Sequence, residues 1–230
     1  MQNVELGTRC RDFAQNTVSF LKNTSGCTAV VFTWYETHKT KPPHVQAGAD
    51  ERMITEYYDR YHNADPLRAE LLIRSSSSFE TLSDAKKAHD QYLLEEYQPF
   101  LHKYNIHEEM DLIFRAGGTV VASAALLQQE NGRKLNSPYI RETCNYLQYT
   151  FSILPAVRLL NLNSDLELRY KLTPKERAVA ELMLAGEPNK TIASQLDMEL
   201  PTAKTHILHI FQKLQVTSRA KAVALLSGAQ

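Results

Sequence analysis

The 230-residue sequence predicts an α+β chain, with an N-terminal α/β/α sandwich around an antiparallel sheet and a four-helix C-terminal domain. Three observations point there. Runs rich in β-branched, apolar and aromatic residues at 28–35, 110–115 and 119–127 interrupt helical patterns over the first 160 residues. Residues 172–227 are helical throughout, in pieces of about ten to fifteen residues. A polar, proline-free stretch at 161–171 separates the two textures. Domains are expected at 1–162 and 172–230, with 163–171 as the linker.

Each element has a local cause. The opening helix gathers Val4, Cys10, Phe13, Val18 and Leu21 near one face and ends at Asn23-Thr24-Ser25-Gly26. Residues 28–35 read as a strand. A loop carrying Lys41, Pro42, Pro43 and Gly48 follows, with a weak strand near Val45. Residues 50–63 form a tyrosine-rich helix, and Asp65-Pro66 opens a further short one. Ser75 to Ser78 is a loop, and 85–104 is helical with Pro99 as a kink. The runs at 110–115 and 119–127 pair through a turn at Ala116-Gly117-Gly118. Residues 137–160 make one long amphipathic helix bearing Ile140, Cys144, Leu147, Phe151, Leu154 and Leu159. This order places helices on both faces of an antiparallel sheet.

Composition narrows the function. With 26 basic and 26 acidic residues the chain is not held to nucleic acid by bulk charge, which leaves only a local basic surface. The segment 172–230 carries a net charge of +2, so one copy neutralises few phosphates; two copies side by side double that, which favours a homodimer on DNA. The N-terminus has no apolar h-region, and the most apolar stretch, 119–127, is too short to cross a bilayer; a cytoplasmic protein without a membrane partner is expected. The three cysteines, Cys10, Cys27 and Cys144, suit reduced core thiols. His102 and His107 lie five apart, which fits no usual metal pair, and no phosphate loop, Ser–His–Asp order or nucleophile elbow occurs. No metal, no cofactor and no catalytic residue is expected. Glu95-Glu96 and His107-Glu108-Glu109 read as solvated faces.

Leu172-Thr173-Pro174-Lys175-Glu176 is a helix start with a cap at Thr173, proline at the first helical position and Glu176 closing a capping box. Helices are expected to Leu184, over 189–196, over 200–214 and over 218–226, the middle pair forming a helix-turn-helix. In the third, Ala203, Ile207, Ile210 and Leu214 share the inner sector. Pro201, Thr205, Leu208 and Gln212 share the outer one, flanked by Lys204 and His209. Thr205 and Gln212 can bond base edges and Leu208 can meet a thymine methyl. A bundle whose outer face is merely solvated gives the same pattern.

Leu172-Thr-Pro-Lys-Glu-Arg177, Asn189-Lys190-x-Ile192-Ala193-x-x-Leu196, Thr202-x-Lys204-x-His206-Ile207, Lys213-Leu214 and Ser218-Arg219-x-x-Ala222-Val223 stand in order over about 55 residues. Together they resemble the LuxR-type helix-turn-helix domain of bacterial transcription regulators. The resemblance implies that 200–214 is the recognition helix, that Lys190, Thr202 and Lys204 touch backbone or bases of a double-stranded operator, and that 218–226 pairs two copies. Asp197 stands where the family usually has glycine, and Pro201 and Leu208 at positions often basic. Lys190, Thr202, Lys204, Thr205, Leu208, His209, Gln212 and Lys213 make the candidate DNA surface.

The first half has no phosphorylation-receiver pattern. It resembles in layout, from opening helix to the long helix after two strands, the acyl-homoserine-lactone sensor of quorum-sensing regulators, a PAS/GAF-like α/β/α fold. Asp65-Pro66-Leu67 resembles that family's Asp-Pro-Val, which implies that Asp65 accepts a ligand amide, with Tyr57 or Tyr58 as the pocket tyrosine. Met53 and Glu80 or Thr81 stand where the family has tryptophans, so the indole donor for a lactone carbonyl is missing. A sensor of the same shape for a different small molecule, or for none, is the favoured expectation. Its pocket would draw on Trp34, Tyr57, Tyr58, Tyr61, Asp65, Ser123 and Ala125. The plain alternatives are ordinary packing for the tyrosines and a helix N-cap for Asp65. A ligand-independent regulator or anti-activator that pairs with related regulators is the competing function. Tyr139, Tyr146 and Tyr149 belong to core or dimer interface.

Overall fold

A computed structural model describes residues 7–35, 42–88, 91–130, 135 and 139–227; Val4, Lys41 and Ser137 lie outside the described residues. The chain divides into two compact units, residues 1–158 and 159–230.

The first unit is built on a five-stranded, wholly antiparallel sheet in the order β2-β1-β5-β4-β3. The strands are β1 (Ala29–Trp34), β2 (His44–Ala47), β3 (Phe79–Thr81), β4 (Glu108–Ala116) and β5 (Thr119–Gln128). The β4–β5 turn needs positive φ at both central positions, and Gly117 (58°) and Gly118 (77°) supply it without a Cβ clash. That turn fixes the register: Ala124 pairs with Leu112 on one side and Phe32 on the other.

Strand alternation sorts the side chains onto two faces. Phe32, Trp34 and Phe114 point to one face, where rings from α1 (Thr8–Thr24) and α6 (Ile140–Ser152) meet them: Phe13 lies 5.9 Å from Phe32 and Phe151 lies 5.3 Å from Trp34. Ile113, Ala125 and Leu127 take the opposite face. There they join α2 (Glu51–Glu56) and its irregular continuation, together with α3 (Ala69–Leu72), α4 (Leu82–Ala88) and α5 (Gln91–Lys103). Pro99 lies inside α5.

Several sequence expectations change. The tyrosine-rich helix is not uniform: α2 gives way to a π turn, Tyr57–Tyr61, and a 3-10 turn, His62–Ala64. The long helix expected over 137–160 is two helices, α6 and α7 (Pro155–Ser164), because proline at 155 has no N–H to continue the first and is preset to begin the second. The expected linker, 163–171, is helical through a π turn at Asp165–Arg169. Leu166 and Leu172 are buried in the second unit's core, so that stretch folds rather than spans. Strand β3, three residues long, carries no periodicity to read.

The second unit adds α8 (Pro174–Leu184), α9 (Asn189–Gln195), α10 (Leu200–Leu214) and α11 (Arg219–Ser227) around Val179, Met183, Ile192, Ile207, Ile210 and Leu214. The capping box forms as expected: Thr173 Oγ1 accepts from the Glu176 N–H (3.3 Å) and Glu176 Oε2 from the Thr173 N–H (2.8 Å). Arg219 holds the start of α11 to the α8–α9 corner, donating to the carbonyls of Met183 (3.1 Å) and Glu187 (2.6 Å). No described helix is long and apolar enough to cross a membrane.

Candidate functional site

The inner and outer sectors of α10 are the ones its sequence phases. Ala203, Ile207, Ile210 and Leu214 are buried, while Thr202, Lys204, Thr205, Leu208, His209 and Gln212 are exposed, Leu208 at 55%. Lys190, in the first turn of α9, is exposed too. The short α9–α10 turn passes through Asp197 at φ 50°, the left-handed conformation that explains why glycine suits this place. Pro201 sits in the first turn of α10, where no N–H is missed. Thr205 Oγ1 donates to the Pro201 carbonyl (3.1 Å), leaving its oxygen free to accept.

Lys213 belongs elsewhere. Its ammonium donates to Glu176 Oε2 (2.6 Å) and to the Lys171 carbonyl (3.0 Å), tying α10 to the cap of α8. His209 Nδ1 lies 4.0 Å from the same carboxylate. Burial alone would raise the Glu176 carboxyl; the Lys213 ammonium and the Thr173 donors hold it below its ordinary value.

The second feature is a cavity of about 70 Å³ in the first unit, between the odd-numbered face of β1, β4 and β5 and the helices over it. The π turn matters here. Its i→i+5 bond from the His62 N–H to the Tyr57 carbonyl inserts one residue per turn, so the adjacent Tyr57 and Tyr58 both reach the cavity wall. Tyr57, Tyr58, Asp65, Ser123 and Ala125 line it, as do Tyr35, Tyr97, Phe100, Glu109 and Asp111.

Two expected members are elsewhere. Trp34 pairs with Ala122 in register and so faces the other side of the sheet, stacked on Phe151; it has the wrong strand parity to join Ser123 and Ala125. Tyr61 packs on Phe100, ring centroids 5.3 Å apart, behind the cavity wall. Glu109, expected on a solvated face, is instead 6% exposed, because β4 turns its odd residues inward. Its signal was an acid at 109 and another at 111, two apart and alternating with the apolar Met110, Leu112 and Phe114.

The polar groups of the cavity are mostly paired among themselves. Asp65 accepts from the Leu67 N–H (2.7 Å) and from the Tyr57 hydroxyl (2.5 Å). It thus closes its own turn rather than capping α3, whose cap is Arg68. Tyr35 and Ser123 share a hydrogen bond of 2.7 Å, and Tyr97 donates to Glu109 Oε2 (3.3 Å). Asp111, 4% exposed, has its Oδ1 without any partner. Burial pushes Asp65, Glu109 and Asp111 upward, and Asp65 raises the other two further. Burial also lifts the Tyr58 phenol to about 12. Among the described residues no group of three metal-ligating side chains is spaced to hold an ion, and Cys10, Cys27 and Cys144 are buried free thiols.

Comparison with known proteins bears on the second unit. The family model "Bacterial regulatory proteins, luxR family" matches residues 170–226. The chain is 30% identical over 131 residues to the monoamine regulon transcriptional regulator of Klebsiella aerogenes, a match covering 56% of this chain and 53% of that protein. It is 42% identical over 52 residues to the nitrate/nitrite response regulator NarL of Escherichia coli, covering 23% and 24%. It thus spans about half the length of the first relative and a quarter of the second. Escherichia coli SdiA aligns with 96% of this chain and 95% of its own, at 13% identity and a TM-score of 0.42. Thr173, Glu176, Ile192, Lys204, Ile207 and Arg219 all fall within the matched segment, and the four helices it covers are those just described. The C-terminal unit carries a helix-turn-helix domain of the LuxR family of bacterial regulatory proteins.

Proposed function

We propose that this chain is a bacterial transcription regulator that binds a pseudo-palindromic duplex site as a homodimer and is modulated by a small molecule in its N-terminal unit. The observation that carries the reading is the division of α10. Its aliphatic side seals the bundle, and its outer side offers Thr202, Lys204, Thr205, Leu208 and Gln212 to solvent. Such a face fits a major groove about 12 Å wide, with hydroxyl and amide groups for base edges and a cation for phosphate. Lys190 supplies a further phosphate contact at the start of α9.

Dimerisation is supported by α6 and its C-cap residue, where Tyr146 (65%), Tyr149 (66%) and Ile153 (55%) form an exposed apolar ridge at helical spacing. Regulation is supported by the cavity: a ligand acts through unequal affinity for the DNA-competent and incompetent arrangements. A second reading, a regulator that works without ligand by pairing with related chains, draws on the cavity's size. About 70 Å³ is well below the roughly 300–1,000 Å³ of drug-sized ligand sites.

Lys204→Ala tests the DNA assignment. Because each protomer of the homodimer loses one contact, operator affinity should fall about ten- to a hundredfold, and the slope of log affinity against log salt should become shallower by about 2. An unchanged slope removes Lys204 from the interface.

A further inference from the structure

Asp65, Glu109 and Asp111 bring three carboxyl groups to one cavity, and no lysine, arginine or histidine lines it. A cluster of acids alone means little, but this one is incomplete in a specific way. Tyr35 is matched to Ser123, Tyr57 to Asp65 and Tyr97 to Glu109, whereas Asp111 Oδ1 is a buried acceptor with no donor. What the cavity lacks is therefore an N–H or O–H donor, delivered to Asp111, in a field that favours positive charge.

We propose that the cavity binds a small organic cation through a primary ammonium group, donated to Asp111 and held among the aromatic rings of Tyr35, Tyr58 and Phe100. The proposal rests on the reading of the N-terminal unit as a ligand-responsive sensor and names the chemical class of its ligand. Aromatic faces carry negative quadrupole density and attract ammonium groups, and they do so more strongly away from water. A metal ion does not fit, since no three ligating side chains among the described residues are spaced for one. An anion meets three acids, and a molecule without an N–H or O–H leaves the Asp111 acceptor unmet.

Size limits the ligand. A cavity near 150 Å³ accepts benzene, so about 70 Å³ corresponds to about three to five heavy atoms. At the best efficiency known for such small ligands, about 1.5 kcal/mol per heavy atom, the dissociation constant lies between about 3 µM and 0.5 mM. Glu109 also lines a separate cleft of about 340 Å³ together with Lys86, His107 and Glu108.

The test is calorimetric titration of the full-length chain with ethylammonium and with ethanolammonium chloride. Propionate, 1-propanol, tetramethylammonium and an acyl-homoserine lactone are titrated alongside. Saturable binding of a primary ammonium is expected, with no saturable binding of propanol or propionate and weaker binding of tetramethylammonium, which has no N–H. Asp111→Asn and, as a second variant, Glu109→Gln should each weaken it about tenfold or more, with folding checked by circular dichroism. Equal binding of propanol, or affinity unchanged in both variants, overturns the proposal; a water on Asp111 would account for that result. If the lactone binds and the ammonium does not, the cation falls while the sensor reading stands. Binding of no compound overturns both.

Discussion

The Glu176–Lys213 pair decides how one cation of α10 is used. Glu176 is 4% exposed and accepts from the Thr173 N–H and from Lys213, whose side chain is 34% exposed. Glu176→Ala removes the reciprocal cap, about 1 kcal/mol, and a charge-assisted hydrogen bond worth about 1.5–3 kcal/mol. Lys213 keeps the Lys171 carbonyl and some water, so its orphaning adds little. The expected loss is about 2–4 kcal/mol, or roughly 10–25 °C in the midpoint of a unit this small. Lys213→Ala should cost about 1–3 kcal/mol, because it leaves a buried carboxylate with a single backbone donor. The double variant should fall short of the sum by about 1–2 kcal/mol. Urea denaturation of the four proteins at pH 7 measures the cycle. Because Lys213 holds the Glu176 carboxyl low, the coupling is present above about pH 4.3 and fades as pH falls through the lowered native value. Lys213→Ala should also leave the salt slope of operator binding unchanged. Additive single effects within about 0.3 kcal/mol, or a slope shallower by about 2 for the homodimer, would refute an internal role for Lys213.

Three further outcomes are expected. Asp197→Gly should stabilise the second unit by about 0.5–1 kcal/mol, read as a higher unfolding midpoint, because the φ of 50° there carries a Cβ penalty that glycine avoids. Burial raises Glu109 and Asp111 in the native state, so their contribution is fully present below about pH 4 and declines as pH rises toward the native values. Asp111→Asn should flatten the fall in stability as pH rises above about 4, by up to about 1.4 kcal/mol per pH unit over the titrating range. Replacing Tyr146 and Tyr149 together with alanine should raise the dimer dissociation constant tenfold or more by sedimentation, with no loss of fold, since both rings stand mostly in solvent in one protomer.

The second unit is legible residue by residue because its code is local. Thr173 and Glu176 announce a helix start three residues apart, and the inner face of α10 repeats at helical spacing, so burial follows from phase. The first unit yields its strands β1, β4 and β5 for the same reason, yet it hides its site. A cavity between sheet and helices depends on strand parity, which no local pattern reports when a strand is buried on both faces. β1 is buried at all six positions, so Trp34 and Thr33 look equally inward; only the pairing of Thr33 with Ser123 puts one on the cavity side and the other against Phe151. The π turn at Tyr57–Tyr61 defeats helical phasing in the same way, bringing two consecutive tyrosines to the cavity and carrying the third behind it. Glu109 and Asp111 are the exception that the sequence does carry. Charges two apart in a strand share a face, and when Ile113 on that same face is buried, the acids are buried with it. A buried pair of acids with one unmet oxygen costs stability unless something binds there, and that cost is the physical reason to look for a cation before an acyl chain.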